Sequence, residues 1–151
     1  MRELSTVFVA AVLASTLLWP AMARARPGAA PGRVGWAANL STRQHGVSGR
    51  AVIVDDHTIR IEHFNYDGLG PRVYAYLAQS ESNGAIANGV IIGGLLRSHG
   101  PAYVNDTITL TLPASMTLSG FPVVAIWCAD FNVNFGSGYF QGSTYLPTVM
   151  R

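Results

Sequence analysis

From about Trp36 onward the chain is built from short runs in which apolar and polar residues alternate, parted by turn-forming residues. Val47–Val54 reads as the first strong strand. Asp55-Asp56-His57 turns, and Thr58–Phe64 returns as its hairpin partner, with Ile59 and Ile61 on one face and Arg60 and Glu62 on the other. His63 falls on the Ile59/Ile61 face if the alternation continues. Asn65–Pro71 is a dense turn cluster, Val73–Ala78 a third strand, Ser80–Gly84 a polar loop, and Val90–Ile92 a short strand ended by Gly93-Gly94. Thr107–Leu112 has the cleanest alternation, with Ile108, Leu110 and Leu112 inward and the threonines outward. Val123–Cys128 is apolar at every position, which predicts a central strand buried on both faces. Phe131, Val133 and Phe135 then alternate with Asn132 and Asn134, Gly136-Ser137-Gly138 turns, and Tyr139-Phe140 closes the sheet. About seven or eight short strands with no helix of note predict an all-β fold, a single small antiparallel β-sandwich or barrel-like domain.

The N-terminal stretch has a different pattern. Arg2 precedes an uncharged run from Val7 to Leu18, Pro20 breaks it, and Ala21-Met22-Ala23 or Ala23-Arg24-Ala25 offers small residues for cleavage. Residues 1–25 therefore read as a secretory signal peptide, too short and wrongly flanked for a membrane span. A Pro/Gly/Ala linker is expected over 26–39 and the β domain over 40–151. No later apolar run reaches the length of a span, so the expected product is secreted and extracellular, or periplasmic or cell-surface if the source is bacterial. Asn39-Leu40-Ser41 and Asn105-Asp106-Thr107 fit the N-glycosylation pattern.

Charge narrows the function classes. All ten basic residues are arginine, scattered singly against eight acids, for a net charge of +2. No basic run or stripe exists, which argues against nucleic acid and anionic membrane surfaces as partners.

The 151 residues contain one cysteine, Cys128. An exported protein normally pairs its cysteines, so a lone thiol is a buried apolar filler, an intermolecular cross-link or a reactive sulfur. By alternation Cys128 shares a face with Val124 and Ile126, and Trp127 shares the other with Val123 and Ala125. Apolar neighbours disfavour the thiolate, while the strand-end position and the nearby Asp130 allow partial exposure at a rim. Four histidines stand at 45, 57, 63 and 99, with no close pair at ligand spacing. His45 is the best candidate partner for Cys128, His57 reads as a solvated turn residue, and His63 as either a satisfied inward histidine or a site residue. Asn65-Tyr66-Asp67-Gly68 is first a turn, in which Asp67 bonds its local backbone. Its functional alternative is a pocket at the domain end, lined by Tyr66 and Asp67, with Asp67 accepting a proton or orienting His45. No phosphate loop and no Ser/His/Asp hydrolase motif is present.

Five motifs in order carry a resemblance. His45-Gly46-Val47-Ser48-Gly49, the run Phe64 to Pro71, Leu112-Pro113, Ile126-Trp127-Cys128, and the run Phe131 to Gly136 resemble the DM13 domain, from about Leu40 to Phe140. The resemblance implies a small all-β extracellular domain with a role in electron transfer and in oxidative chemistry of matrix or cell-surface polymers, centred on the cysteine of the Trp-Cys motif. Animal relatives often place it beside DOMON domains, which carry haem. Here Arg72 follows Pro71 where relatives usually have an acid, Ala78 replaces a common glycine, and no DOMON domain is expected within these 151 residues.

Two readings follow. In the first, Cys128 is a redox sulfur with His45, Tyr66, Asp67 and Trp127 as pocket neighbours, haem or copper as the conceivable cofactors, and a separate DOMON-type or other redox protein, or an extracellular polymer, as partner. In the second, the domain is a non-catalytic extracellular binding or matrix module, and Cys128 is a core residue.

Overall fold

A computed structural model describes residues 32–142. The expected signal peptide, the first part of the expected linker and the last nine residues lie outside the described residues.

The strands are β1 (Ala37–Thr42), β2 (Ser48–Asp55), β3 (Thr58–Tyr66), β4 (Val73–Ala78), β5 (Val90–Ile92), β6 (Tyr103–Thr111), β7 (Val123–Cys128) and β8 (Val133–Tyr139). They form one sheet of 8 strands in the order β5-β4-β7-β8-β1-β2-β3-β6, and every neighbouring pair is antiparallel. The fold is therefore all-β and of the barrel-like kind, a sheet curled into a half-barrel. β1 is the corner. Its first residues pair with β2, from Ala37↔Val52 to Leu40↔Gly49, and its last pair with β8, as Ser41↔Ser137 and Thr42↔Gly136. The two edges of the sheet come together where Gly93 N–H donates to the Thr111 carbonyl at 3.2 Å.

The concave side holds the main core, which draws on nearly every strand and includes Val124, Ile126 and Cys128 of β7. The other face of β7 carries Val123, Ala125 and Trp127, packed with Tyr76, Ala78 and Ile86 in a second cluster. All six β7 residues are buried, so the two-faced burial expected of the apolar run is found. Each Val or Ile of that strand contributes about 1.5–3 kcal/mol by leaving water. The cover for the second face is a short helix, α1 (Asn83–Ala87), which begins in the stretch Ser80–Gly84 expected to be loop and runs three residues past it. Its start is fixed by Ser82, whose hydroxyl accepts from Ala85 N–H at 3.2 Å. Five residues are too few to show a helical period, and Ile86 is the single apolar side chain it must bury.

Several local expectations are corrected. β1 begins at Ala37, inside the stretch expected to be linker. Asn65 and Tyr66 belong to β3 and not to a turn, and Tyr66 is a core residue. His63 does not point inward. The β3–β6 register shifts between Ile61 and Phe64, His63 takes a left-handed backbone (φ 51), and Phe64 fills the inward place. The exposed His63 ring meets Asn105 Oδ1 at 2.7 Å through Nδ1. His57 is half-buried, with its Nδ1 enclosed and unpaired, where a solvated ring was expected. Phe131 lies in the β7–β8 turn and not in a strand.

Gly136-Ser137-Gly138 is not a turn but the middle of β8. Its glycines serve close strand approach: a Cβ on Gly138 would run into the backbone carbonyl of Asn39 on β1. Ser137, buried between them, donates to Glu81 Oε1 at 2.7 Å and accepts from Asn134 Nδ2 at 2.9 Å.

This packing predicts that Gly138→Ala destabilises the domain by about 1–3 kcal/mol, because the obstructing atom is backbone and cannot swing away. Gly84→Ala, at a site with open space around it, is the control and should be neutral or slightly stabilising. Urea midpoints of the two variants check the pair.

Candidate functional site

Two turns meet at one end of the half-barrel. The β1–β2 turn carries His45, and the β3–β4 connection carries Asp67. Asp67 N–H donates to the His45 carbonyl at 3.2 Å, tying the turns through backbone. The side chains repeat the tie, with His45 Nδ1 2.8 Å from Asp67 Oδ2 and 3.1 Å from Oδ1. Asp67 Oδ1 also accepts from Leu69 N–H at 2.9 Å, so one carboxylate shapes its own turn and orients the imidazole. Asp67 thus bonds its local backbone and holds His45, but neither it nor Tyr66 is among the residues that line the adjoining cleft. His45 stands in the left-handed backbone region (φ 54), a conformation that costs about 1–2 kcal/mol outside glycine and is held here by these bonds. The pair is roughly one-third exposed, so it positions the ring more than it stabilises the fold. The imidazole also lies against Phe135, with ring centroids 4.2 Å apart.

Tyr66, one residue before Asp67, points into the core beneath this pair. Its hydroxyl accepts from Gly70 N–H at 2.8 Å, and both groups are buried. Gly70 has to be glycine: a Cβ there would sit 2.8 Å from the Tyr66 hydroxyl and 2.9 Å from Phe135 Cε2. Burial raises the Tyr66 pKa above its ordinary 10.0; the Gly70 hydrogen bond works against this, and negative charge at Asp67 or at Cys128 adds to it.

Cys128 is 0% exposed. It sits between Val73 and Val133 on the neighbouring strands, in the same core as Tyr66 and Phe135. The partial exposure at a rim that its strand-end position allowed is not found. The chain turns past Cys128 and closes over it, with Ala129 N–H donating to the Arg72 carbonyl at 2.9 Å and Arg72 Nε 2.6 Å from Asp130 Oδ1. The unusual Arg72 thus pairs with the acid that was expected to mark a rim. A disulfide to a second chain would require β7 to part from its neighbours. Trp127 faces the second cluster with Ile86 and Tyr76, on the other side of the sheet from His45 and Tyr66, and is not a neighbour of theirs.

A cleft of about 460 Å³ opens beside His45. Leu69, Pro71, Phe131, Val133 and Phe135 form its apolar walls; Gln44, His45 and Gly70 complete it. Leu69 and Phe131 are 58% and 69% exposed and stand at its mouth. Sequence reasoning missed these walls. Their only signal was an apolar residue inside each of two turn segments, Leu69 in Asp67–Pro71 and Phe131 in the turn after β7, where polar residues are usual.

A metal centre at Cys128 and His45 does not fit. Among the described residues no three His, Cys, Asp or Glu side chains are grouped to hold an ion. His45 Nδ1 is committed to Asp67, and the sulfur is enclosed by hydrocarbon. His63 is bonded to Asn105 on the outer surface. Of the two glycosylation candidates, Asn39 is exposed on β1 and Asn105 is exposed with a left-handed backbone (φ 53). No helix among the described residues is long and apolar enough to cross a membrane.

The family model described as "Electron transfer DM13" matches residues 39–140. The chain is similar to Protein Skeletor, isoforms B/C, of Drosophila melanogaster, at 40% identity over 100 residues, which are 64% of this chain and 13% of that protein. It is equally similar to isoforms D/E of the same fly, at 40% identity over 100 residues, again 64% of this chain and 7% of the relative. The chain therefore corresponds to a small part of the curated relatives it matches. No solved structure matches it.

The Tyr66 environment yields a measurable pH effect. Its pKa is raised in the folded state, so the neutral hydroxyl is favoured there. Below pH 10 both states are neutral and the contribution is intact; above it the unfolded chain ionises first, and stability falls until the pH passes the folded value. Tyr66→Phe should lose about 1–3 kcal/mol at neutral pH by leaving the buried Gly70 N–H unpaired. It should also show a shallower alkaline loss than wild type, the remainder coming from Tyr76, which burial raises too. Unfolding by denaturant at pH 7 and across pH 9–11 checks both statements.

Proposed function

Because the chain belongs to the DM13 family, whose model matches residues 39–140, we propose that it is an exported electron-transfer module whose redox element is Cys128 with Tyr66 beside it in the core. The observation that carries the reading is the convergence at one end of the half-barrel. The buried thiol, the buried phenol and the carboxylate-oriented imidazole lie together at the end that carries the 460 Å³ cleft.

Burial decides which chemistry is compatible. Attack on a disulfide or peroxide needs contact between the sulfur and its substrate, and a fully covered atom cannot make it. Electron loss needs no contact, since an electron passes through a few ångströms of packed protein to an acceptor docked outside. In the proposed step the Cys128 thiol gives one electron to an external one-electron acceptor. Its S–H bond breaks, and the proton leaves toward the cleft, where His45 is the base. In this reading the acceptor is a separate molecule: a DOMON-type or other redox protein, or an oxidised extracellular polymer. The charge-free apolar run of residues 7–18 supports export, which in this reading delivers the module to the extracellular space, or to the periplasm or the cell surface of a bacterium.

One observation favours a second reading. A sulfur at 0% exposure among Val73, Val124, Ile126 and Val133 is also what a simple core residue looks like. In that reading the domain is a binding or matrix module, and the cleft is its working surface.

One-electron oxidation separates the two. The full chain is mixed with hexachloroiridate(IV), which is too large and too charged to enter the core, and reduction of the oxidant is followed optically with radical detection by electron paramagnetic resonance. The electron-transfer reading expects a sulfur- or Tyr66-centred radical in wild type, with slower oxidant reduction in folded Cys128→Ala and Tyr66→Phe. If both variants fold and match wild type in rate and in spectrum, the binding reading stands instead.

A further inference from the structure

We propose that the His45 cleft is a binding site for an uncharged phenol. The inference goes beyond the electron-transfer reading, since the binding does not depend on the redox state of Cys128.

The polar side chains of the site are Gln44 and His45, and the imidazole is the one held in a fixed orientation. Asp67 accepts from His45 Nδ1 at 2.8 and 3.1 Å, which places the proton of the neutral ring on Nδ1 and leaves Nε2 as a hydrogen-bond acceptor. Phe135 packs against the ring and fixes its plane as one wall of the cleft. The ligand therefore needs one hydroxyl or similar donor at that end.

The remaining walls are apolar. Leu69 and Phe131 present large side chains, mostly exposed, on opposite segments at the mouth, with Pro71 and Val133 between. Apolar groups of this size left uncovered and facing a concavity mark a binding surface more often than chance exposure does. Phe131, 69% exposed, supplies an aromatic face for a planar ring to stack on, while Phe135 is buried in the core against His45 and backs the cleft.

Charge excludes the other ligand classes. No Arg, Asp or Glu lines the cleft, so nothing neutralises a phosphate, a carboxylate or an ammonium group. A sugar is also a poor match, because only Gln44 and His45 offer polar side chains to its many hydroxyls. About 460 Å³ accommodates one aromatic ring with a short substituent, such as the side chain of a tyrosine or a catechol.

The test uses the full chain and two matched probes, 4-methylphenol and 4-methylanisole, followed by amide NMR shifts. The phenol should bind saturably, with shifts confined to the two turns and the β7–β8 turn. The methyl ether, of similar shape but without the donor, should bind about tenfold more weakly, the worth of one hydrogen bond. Phe131→Ala, at an exposed position where folding is not at stake, should weaken the phenol to a similar degree. His45→Phe should remove the preference for phenol over ether. Equal binding of the two probes, no saturable shift, or shifts elsewhere on the domain would overturn the assignment. None of those outcomes bears on whether hexachloroiridate oxidises Cys128, so the two proposals fail separately.

Discussion

The structure depends on one strand that is buried on both faces. β7 has no polar side chain and lies between β4 and β8, so it can be satisfied only if the sheet supplies an interior on one side and a cover on the other. The curl of the sheet supplies the first and α1 the second. Curling in turn forces β8 against β1, and this is where Gly136 and Gly138 are needed, since side chains there would hold the two strands apart. The buried Ser137 between them is satisfied by Glu81 and Asn134, so the tight crossing leaves no orphaned hydroxyl.

The same constraint builds the functional end. β7 stops at Cys128 because the chain must leave the interior, and the Arg72–Asp130 pair holds the exit turn in place. β3 runs on to Tyr66 before it turns, which brings Asp67 to the His45 loop. Tyr66, Gly70 and Phe135 then interlock so closely that a single added carbon at Gly70 would collide with both rings. A rigid floor under a His–Asp pair that is one-third exposed is what keeps the imidazole in one orientation.

Much of the fold was legible in the sequence because strands declare themselves by alternation. β2, β4, β5 and β7 lie within a residue or so of their expected bounds, and the assignment of Cys128 and Trp127 to opposite faces followed from period alone. What was not legible involved local breaks in that period. The bulge at His63 reverses the face of the next residue, and no side chain announces it; only the left-handed backbone does. Gly136-Ser137-Gly138 has turn composition but lies in a strand, since glycine serves both a tight reversal and a close interstrand approach. In the site, the His45–Asp67 pair was among the arrangements the turn residues allowed. The burial of Cys128 was undecided, because strand-end exposure depends on how the following turn folds back. The cleft walls come from turn residues whose tertiary placement no periodicity encodes.

The covered thiol has a practical consequence. Since this chain has a single sulfhydryl group and it lies at 0% exposure on the strand that both cores share, a disulfide reagent can capture it only after β7 separates from its neighbours. The capture rate is then a clock for that separation, read without any introduced label. The native protein thereby carries an internal gauge of how often its centre breathes, and the gauge responds to whatever clamps or loosens the domain.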